Sequence, residues 1–526
     1  MKALLKNYNF TPYLSLIMSS LLWLMMLTRV LYFYFTSDAV RVSVVPDDAF
    51  YYIQLAKHHI HEGGWHFDGQ ASTTGFHLLY AYFLVFIYTL SPTLSWSALY
   101  LIIGFSATTC IALAAYFSMQ STRLLFGLQS SLWSIIPFVT ISVLIQSNMM
   151  MESWLVIFFS AFGLYRFLSY QKCTEKEQFI LILIGLLGSL SRSDFGLFPG
   201  LLFIMCLLSF KSWQYQEIKR SFSLLCGAVL GLCVLWLHTY HTSGHITQAS
   251  AETKFYWSSL RGHDIHIPWQ FLKSIVIPHE GDLNPSRRFY TLLLLTVLMG
   301  LFWGRQNIKK NHHAYVTILA ACITIIGYTF VYRYNCAALQ IWYAANYITP
   351  LCIVFAGFGS LLCRIPLIKN ISAIVTMIVL TTYLQIAFKA LLVRPWLHQA
   401  GMMYAGLSLK EMKVDTKFAA WNAGIISYFS ELPIVNLDGL VNDEVLSYIQ
   451  QNRLLAYIQK KHIDYLVDYE YMLKNTIHNT RGGYTDGKLE HCLTPLNAID
   501  GPAPEWPPSP EHSKLKLFQL NADCVS

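Results

Sequence analysis

Long apolar runs dominate the sequence and recur along its first three quarters. Of the 526 residues, 55% are hydrophobic and only 13% are charged. Each run is about 20 residues long, the length that an α-helix needs to cross the hydrocarbon layer of a bilayer. Because the runs are continuous and do not alternate polar with apolar residues, they exclude a membrane β-barrel. The sequence therefore predicts an all-α polytopic membrane protein.

We predict about 11 transmembrane helices with the N-terminus in the cytoplasm. Short clusters of Lys and Arg separate the runs, and such clusters mark cytoplasmic loops. They fall on one side only if the apolar segment 76–90 does not span, so we expect an interfacial helix there. The first run is too long for a signal-peptide core and is expected to be a retained anchor. The predicted spans are 11–35, 94–119, 131–147, 153–170, 179–190, 195–210, 222–240, 289–303, 314–332, 344–362 and 371–393.

The chain divides into a transmembrane domain over residues 1–394 and a more polar region over 395–526. With this orientation the loops 37–74 and 241–288 and the whole polar region lie on the side opposite the cytoplasm. The prediction is thus a membrane domain with external loops, followed by a small external α/β domain.

The polar region carries its own structural signals. Strand-like runs occur at 433–437 and 465–467, and an amphipathic helix is expected at 443–461. Cys492 and Cys524 are the two cysteines of this region, and they could pair if it faces an oxidising compartment.

Two adjacent acids, Asp47 and Asp48, follow the first predicted span. Acids at a membrane surface are costly to desolvate and are often functional. Asp is a favoured N-cap, so Asp48 is expected to cap a helix beginning at residue 49, but capping explains only one of the two. We predict that Asp47 is a general base acting on an acceptor hydroxyl. Asp48 is then its neighbour, which orients it or binds a metal.

Other acids and bases occur at turns on the same predicted side. Glu152 lies in MMESW, and Arg192 and Asp194 lie in SRSDF. An acid at a helix N-terminus often does no more than interact with the helix dipole, and Arg192 with Asp194 could be a simple ion pair. Their interest lies in sharing one side of the bilayer with Asp47.

Basic and aromatic residues on this side predict a site for a phosphate and a sugar. A guanidinium binds phosphate through paired hydrogen bonds, and an aromatic ring suits a sugar face. The same residue types are also typical of lipid contact at an interface. The candidates for substrate binding are Lys57, His77, Arg192, Arg288, Arg333 and Tyr343.

Five segments occur in order along the chain: PDDAFYYIQLA, STTGFHLLY, MMESWL, SRSDFG and WNAGIISYFSELPIVNLDGLVND. As an ordered set they resemble the motifs of the GT-C superfamily of membrane glycosyltransferases. This superfamily includes protein O-mannosyltransferases, the lipid A 4-amino-arabinose transferase and the oligosaccharyltransferase catalytic subunit. The chain departs from the motifs where Leu78 replaces Pro, where Met150 replaces Gly, and where SRSD replaces RPD.

The resemblance implies an inverting transfer of a sugar from a polyprenyl-phosphate donor to a hydroxyl or amine acceptor. The acceptor would be a glycan, a lipid or a protein, on the periplasmic side of a bacterial inner membrane. Asp47 corresponds to the family's first-loop acid, taken as the catalytic base, and Asp48 to its acidic neighbour. Glu152 falls where some members place a second acid. Asp48 and Glu152 are therefore the predicted ligands if a divalent metal such as Mg or Mn takes part.

Two other functions use similar composition. A transporter or flippase for lipid-linked sugars also needs basic and aromatic cavities, but it predicts acids near the bilayer midplane and paired half-repeats. The sequence shows no internal repeat and places its acids at turns. An O-antigen polymerase or ligase is the other alternative, and the acid pair in the first external loop argues only moderately against it.

Overall fold

The computed structural model describes residues 11–69, 71–169, 172–209, 215–276, 312–363, 372–412, 416–498, 515–521 and 524. Over these residues the chain is mostly helical, and a small sheet forms in its C-terminal part. The predicted class, a helical membrane protein with a C-terminal region that contains both helices and strands, is confirmed.

Several described helices are apolar and long enough to cross a membrane. They are Tyr13–Tyr34, Trp96–Phe126, Tyr215–Ser243, His313–Ala338 and Ile341–Leu362. Shorter apolar helices cover Leu78–Leu90, Ser153–Ser169, Ser193–Leu208 and Thr376–Ala390. The count of about 11 spans stays a prediction, and the predicted span 289–303 lies outside the described residues.

The predicted span 131–147 is broken into two helical pieces. Leu128–Val139 and Ile141–Asn148 meet at an angle of 65°. Pro137 lies inside the first piece, and Thr140 at the junction has an extended backbone (φ −78°, ψ 153°). Proline lacks the N–H that a helix needs and its ring crowds the preceding turn, so a break in this segment is expected.

The full set of described α-helices includes short connecting pieces. Their bounds are Thr11–Tyr34, Asp38–Val42, Asp47–Glu62, Leu78–Leu90, Trp96–Phe126, Leu128–Ser131, Ile141–Leu144, Ser153–Ser169, Glu175–Ser191, Leu197–Leu208, Tyr215–Ser243, Ala249–Ser259, His266–Val276, His312–Val331, Ala345–Leu362, Ser372–Ala390, Gln399–Leu409, Ala423–Ser430, Val445–Gln450, Leu454–Lys460, Tyr471–Lys474, Thr476–Gly482 and Lys488–His491. The 3₁₀ helices are Leu132–Val139, Ile145–Asn148, Ser193–Gly196, Tyr332–Ala338 and Ile341–Ala344.

The C-terminal sheet has the strand order β2-β1-β3-β5-β4. β1 pairs in parallel with β2 and β3, whereas β5 pairs antiparallel with β3 and β4. Both predicted strands, 433–437 and 465–467, are confirmed as β2 and β3. The strands are β1 (Phe418–Ala420), β2 (Ile434–Asn436), β3 (Tyr465–Tyr469), β4 (Leu493–Ala498) and β5 (Leu515–Leu520).

The prediction of a single helix at 443–461 is wrong in one respect, because the structure has two helices there. Val445–Gln450 and Leu454–Lys460 are separated at Asn452, whose φ is +56°. A left-handed residue ends a helix, and Asn adopts this conformation more readily than most side chains. Farther along the chain, Cys492 and Cys524 form a disulfide with their Cα atoms 5.8 Å apart.

The chain folds into two compact units. The first unit contains Met1–Tyr32, Leu101–Leu235 and Asp264–Val393. The second unit contains Phe33–Tyr100, Trp236–His263 and Arg394–Ser526. The residues after 394 therefore share a unit with the first predicted external loop and with part of the second.

Arg29 of the first unit is fully buried inside Thr11–Tyr34, which the sequence presents as a plain apolar span. A buried charge is tolerated only when it is paired, and the last carbonyl groups of a helix have no partner within the helix. Arg29 therefore caps the C-terminal end of Ser372–Ala390. Its guanidinium donates to Asn148 Oδ1 and to the carbonyl oxygens of Ala390, Leu391 and Val393 over 2.7–3.1 Å.

Candidate active site

Asp47 and Asp48 form the first turn of the helix Asp47–Glu62. Pro46 takes the cap position with an extended backbone, so the cap role predicted for Asp48 is wrong and the helix begins two residues earlier. Both carboxylates lie where the helix dipole stabilises negative charge.

The Asp47 carboxylate lies against the N-terminus of another helix, Ala423–Ser430. Its oxygens accept hydrogen bonds from the N–H groups of Gly424 (3.1 Å) and Ile425 (2.6 Å). The first N–H groups of a helix have no partner within it, and the cap residue of this helix makes no side-chain capping bond. Asp47 thus supplies the missing cap from a segment 377 residues away in the sequence.

Glycine at position 424 makes this contact sterically feasible. A Cβ atom there would lie 2.4 Å from the Asp47 carbonyl oxygen and 3.0 Å from its Oδ1. Distances this short exclude a side chain, so the WNAGII segment needs glycine for the close approach. The first and last of the five motifs are therefore parts of one packed structure.

A third acid, Asp438 of the NLDGLVN segment, belongs to the same cluster. The Tyr51 hydroxyl lies 3.4 Å from Asp438 Oδ2, and the Leu440 N–H donates to Asp438 Oδ1 at 2.7 Å. Asn436 Nδ2 lies 3.3 Å from the Tyr51 hydroxyl oxygen. Sequence reasoning did not single out Asp438, although this residue lies in the last of the five motifs.

Two buried carboxyl groups of this cluster have pKa values near neutrality. Burial raises the pKa of Asp47 to about 7, with the Asp48 charge adding to it and the Ile425 and Gly424 N–H groups opposing it. Burial likewise raises the pKa of Asp438 to about 7, and the charges of Asp48 and Asp47 raise it further. Groups with such pKa values can hold or release a proton at physiological pH, which general acid–base chemistry requires.

The STTGFH motif packs against the turn that carries Asp438. The hydroxyls of Thr73 and Thr74 donate to Asp443 at 2.7 and 2.9 Å. A Cβ on Gly75 would lie 1.7 Å from the Leu440 carbonyl oxygen, so this position also requires glycine. The motif therefore braces the acid cluster from the side of the first loop.

Lys57 lies on the helix that begins with the acid pair. Its ammonium is 4.4 Å from the ring centre of Tyr428 and 5.6 Å from that of Tyr88. Burial lowers the pKa of Lys57, and Glu431 partly opposes this. His77 directly precedes the helix Leu78–Leu90, and its backbone nitrogen lies 3.3 Å from the Tyr52 hydroxyl oxygen.

In the first unit, the structure brings Glu152 and Arg192 together with Asp194. The Arg192 guanidinium donates to Glu152 Oε1 and to Asp194 Oδ2 at 2.9 Å each, and Glu152 is 1% exposed. One arginine thus holds two acids in a buried ion triad. The ion pair expected for Arg192 and Asp194 is confirmed, and Glu152 joins it.

The turn before Glu152 keeps its shape without glycine. Met150, which stands where the resembling motif has Gly, has a φ of +55°. This left-handed conformation is the one that glycine adopts most easily, so Met150 holds it under strain. The substitution noted in the sequence therefore leaves the turn in place.

Aromatic and amide groups complete the ion triad. Arg192 lies 4.4 Å from the ring centre of Tyr343, Tyr332 donates to Asp194 Oδ2 at 2.9 Å, and Asn346 donates to the Tyr332 hydroxyl at 2.8 Å. The guanidinium of Arg333 instead lies against two rings, those of Phe330 and Tyr334, whose centres are 4.2 and 4.6 Å away.

Two further predictions concern Arg288 and a metal. Arg288 lies outside the described residues. Among the residues that the structure does describe, no group of three or more His, Cys, Asp or Glu side chains could hold a metal ion. Of the predicted ligands Asp48 and Glu152, the second accepts a hydrogen bond from Arg192. A metal at these residues stays a prediction.

Comparisons with known proteins address the C-terminal region and the fold. A family model described as "Domain of unknown function (DUF8728)" matches residues 394–506. No curated protein matches the chain in sequence.

Solved structures with a similar fold span nearly the whole chain. ArnT from Cupriavidus metallidurans bound to undecaprenyl phosphate matches 96% of this chain and 98% of its own, at 10% identity and a TM-score of 0.55. The oligosaccharyltransferase AglB from Archaeoglobus fulgidus, in complex with an inhibitory peptide and a dolichol-phosphate, matches 93% of this chain and 73% of its own, at 11% identity and a TM-score of 0.55. Identities this low establish the fold alone. The chain is thus a multi-pass membrane protein that shares the fold of these two structures.

Proposed function

We propose that the protein is a membrane glycosyltransferase that transfers a sugar from a polyprenyl-phosphate donor to a hydroxyl or amine acceptor. The observation that carries the proposal is the cluster of Asp47, Asp48 and Asp438, in which buried carboxyl groups have pKa values near neutrality. The fold supports it, because the similar ArnT and AglB structures contain undecaprenyl phosphate and a dolichol-phosphate.

In this proposal Asp48 is the general base and Asp47 positions it, the reverse of the roles expected from the sequence. Asp47 is 8% exposed and both of its carboxylate oxygens accept N–H groups of Ala423–Ser430. A base must lie within hydrogen-bond reach of the proton that it removes, and Asp48 is the more exposed of the two. Anchoring Asp47 fixes the first turn of the helix and therefore fixes Asp48.

The reaction is a one-step displacement. Asp48 removes the acceptor proton while the acceptor oxygen or nitrogen attacks the anomeric carbon, and the bond to the donor phosphate breaks. Attack from the opposite face inverts the anomeric centre. Negative charge grows on the leaving phosphate, and fixed cations stabilise it. Lys57 is the proposed cation of the second unit, because its ammonium contacts aromatic rings and forms no ion pair with a described carboxylate. The proposed mechanism assigns no step to a metal.

We place the acid cluster on the periplasmic side of a bacterial inner membrane. The Cys492–Cys524 disulfide supports this placement, because such bonds persist in oxidising compartments and are rare in the cytosol. The placement also keeps the basic clusters between the apolar runs in the cytoplasm.

Transfer by purified protein tests the function directly. The full chain in lipid nanodiscs is incubated with radiolabelled polyprenyl-phosphate sugars and with membrane extracts as the acceptor source. We expect release of polyprenyl phosphate and appearance of label in a product of inverted anomeric configuration. Movement of intact donor across a vesicle bilayer, with no bond cleavage for any sugar, would instead indicate a flippase and overturn the proposal. Transfer from pyrophosphate-linked chains alone would indicate a polymerase or ligase.

A further inference from the structure

An arginine of the C-terminal region lies close to the acid cluster and has no ionic partner among the described residues. Arg481, at the end of the helix Thr476–Gly482, places its guanidinium 3.9 Å from the ring centre of Trp257. The stack joins two segments of the second unit that are far apart in the sequence. Arg481 was not singled out by sequence reasoning, whereas Trp257 lies in the external loop predicted at 241–288.

One nitrogen donor of each side chain in this stack is buried without a hydrogen-bond partner. The Nε atom of Arg481 and the Nε1 atom of Trp257 are both inaccessible and lack an acceptor, and the Trp257 side chain is 6% exposed. An unpaired buried donor costs about 1–3 kcal/mol, so proteins rarely leave two of them side by side. Arg29 shows the contrast, because its guanidinium is satisfied by an amide and three carbonyl oxygens.

The charges around Arg481 favour an incoming anion. Burial lowers the pKa of Arg481, and the nearby positive charge of Arg261 lowers it further, whereas Asp438 opposes the shift. No described carboxylate lies within ion-pair distance of Arg481. An anion bound between the two guanidinium groups would relieve their repulsion and supply the missing acceptors.

We propose that Arg481, stacked on Trp257, forms a subsite for a phosphate or carboxylate group of a substrate. This inference rests on the proposed function and extends it, since it assigns a charge to the substrate bound next to the acid cluster. An indole ring that stacks on a guanidinium fixes the plane of that group. Two of its N–H groups then point in parallel, and two oxygens of a phosphate or carboxylate can accept both. The anion comes either from the lipid phosphate of the donor or from an acidic sugar of a water-soluble glycan.

Binding measurements on the full-length protein test the subsite. The variant is Arg481→Met, which keeps an unbranched side chain on Trp257 and removes the charge, and the matched control is Arg453→Met, an exposed arginine of the same unit. The probes are undecaprenyl phosphate in nanodiscs and, separately, glucuronic acid with glucose as its neutral analogue. We expect Arg481→Met to weaken binding of one anionic probe at least about tenfold, since hydrogen bonds to charged groups are worth about 1.5–3 kcal/mol. The control should stay within about twofold.

The possible results distinguish the donor phosphate from an acidic glycan, and one of them would contradict the proposed subsite. Weaker binding of undecaprenyl phosphate alone assigns the donor phosphate, and weaker binding of glucuronic acid alone, with glucose unchanged, assigns an acidic glycan. Unchanged affinity for both probes overturns the subsite. Arg481→Lys, which keeps the charge and loses the fork, guards against misfolding: intermediate affinity supports the subsite, and wild-type affinity for both probes argues against it. Because binding needs no turnover, these results are independent of the transfer assay that decides the proposed function.

Discussion

The two units bury acids in opposite ways. In the first unit, Glu152 and Asp194 share the Arg192 guanidinium at 2.9 Å each. In the second unit, neither Asp47 nor Asp438 forms a salt bridge with a described Lys or Arg, and their partners are N–H and hydroxyl groups. In the first arrangement each acid is paired with the Arg192 guanidinium. In the second, the negative charges of Asp47 and Asp48 act on Asp438.

Under the proposed function, this difference separates acids that stabilise the fold from acids that exchange protons with the substrate. A buried ion pair fixes a turn but leaves its carboxylates unable to take a proton from a substrate. Carboxyl groups whose pKa is raised by burial and by each other are poised to exchange protons near neutral pH. In the sequence, Glu152 and Asp47 are both candidate acids of the site. In the structure, Glu152 pairs with Arg192, whereas Asp47 accepts hydrogen bonds from backbone N–H groups.

Breaking the ion triad should give the largest loss of stability. Arg192→Leu leaves Glu152 and Asp194 buried without their counter-charge, so we expect the free energy of unfolding to fall by about 3–5 kcal/mol. Reversible unfolding in mixed micelles measures it, with Arg453→Leu as the exposed control. A loss below about 1 kcal/mol would mean that the triad does not hold the turn.

Removing the cap carboxylate should have a smaller effect. In Asp47→Asn, the amide can accept only one of the two N–H groups of Gly424 and Ile425, so we expect a loss of about 1–3 kcal/mol. The exposed acid Glu490 supplies the control Glu490→Gln, which should change stability by no more than about 0.5 kcal/mol. An Asp47→Asn variant as stable as wild type would remove the positioning role.

The effect on stability of removing the Asp438 carboxyl group should depend on pH. Its pKa is raised in the folded state from 3.8 to about 7, so its contribution to stability is full below pH 4 and is lost as the pH rises through about 7. Asp438→Asn removes that ionisation and keeps an acceptor for Leu440. We therefore expect the stability of the variant relative to wild type to be greater at pH 8 than at pH 5, by on the order of 2–3 kcal/mol. Equal differences at both pH values would contradict the electrostatic account.

Local patterns in the sequence predicted much of the fold. The apolar runs predicted the helices, and short strand-like runs predicted strands β2 and β3, because both signals depend on residues that are neighbours in the sequence. The break at Thr140 and the split near Asn452 were missed. The split depends on the backbone angles of Asn452, which the amphipathic run conceals. The break could have been anticipated from Pro137.

Long-range contacts in the site could not be predicted in the same way. Asp47 caps a helix 377 residues away, and a Cβ atom at Gly424 would clash with Asp47. Asp438 lay in a motif already noted, but its nearness to Asp47 follows from tertiary packing. Arg481 had no motif at all, and its stack on Trp257 appears only in the folded chain.

The central claim is that the acid cluster of the second unit carries out the chemistry through Asp48. The direct measurement is the rate of sugar transfer from a labelled polyprenyl-phosphate donor by Asp48→Asn, beside wild type and Asp47→Asn, at a temperature where all three are folded. General-base catalysis contributes about 100- to 10,000-fold, so Asp48→Asn should lose that factor with donor affinity and unfolding free energy unchanged. A rate within tenfold of wild type would contradict the claim, as would a stable Asp47→Asn variant that alone abolished transfer.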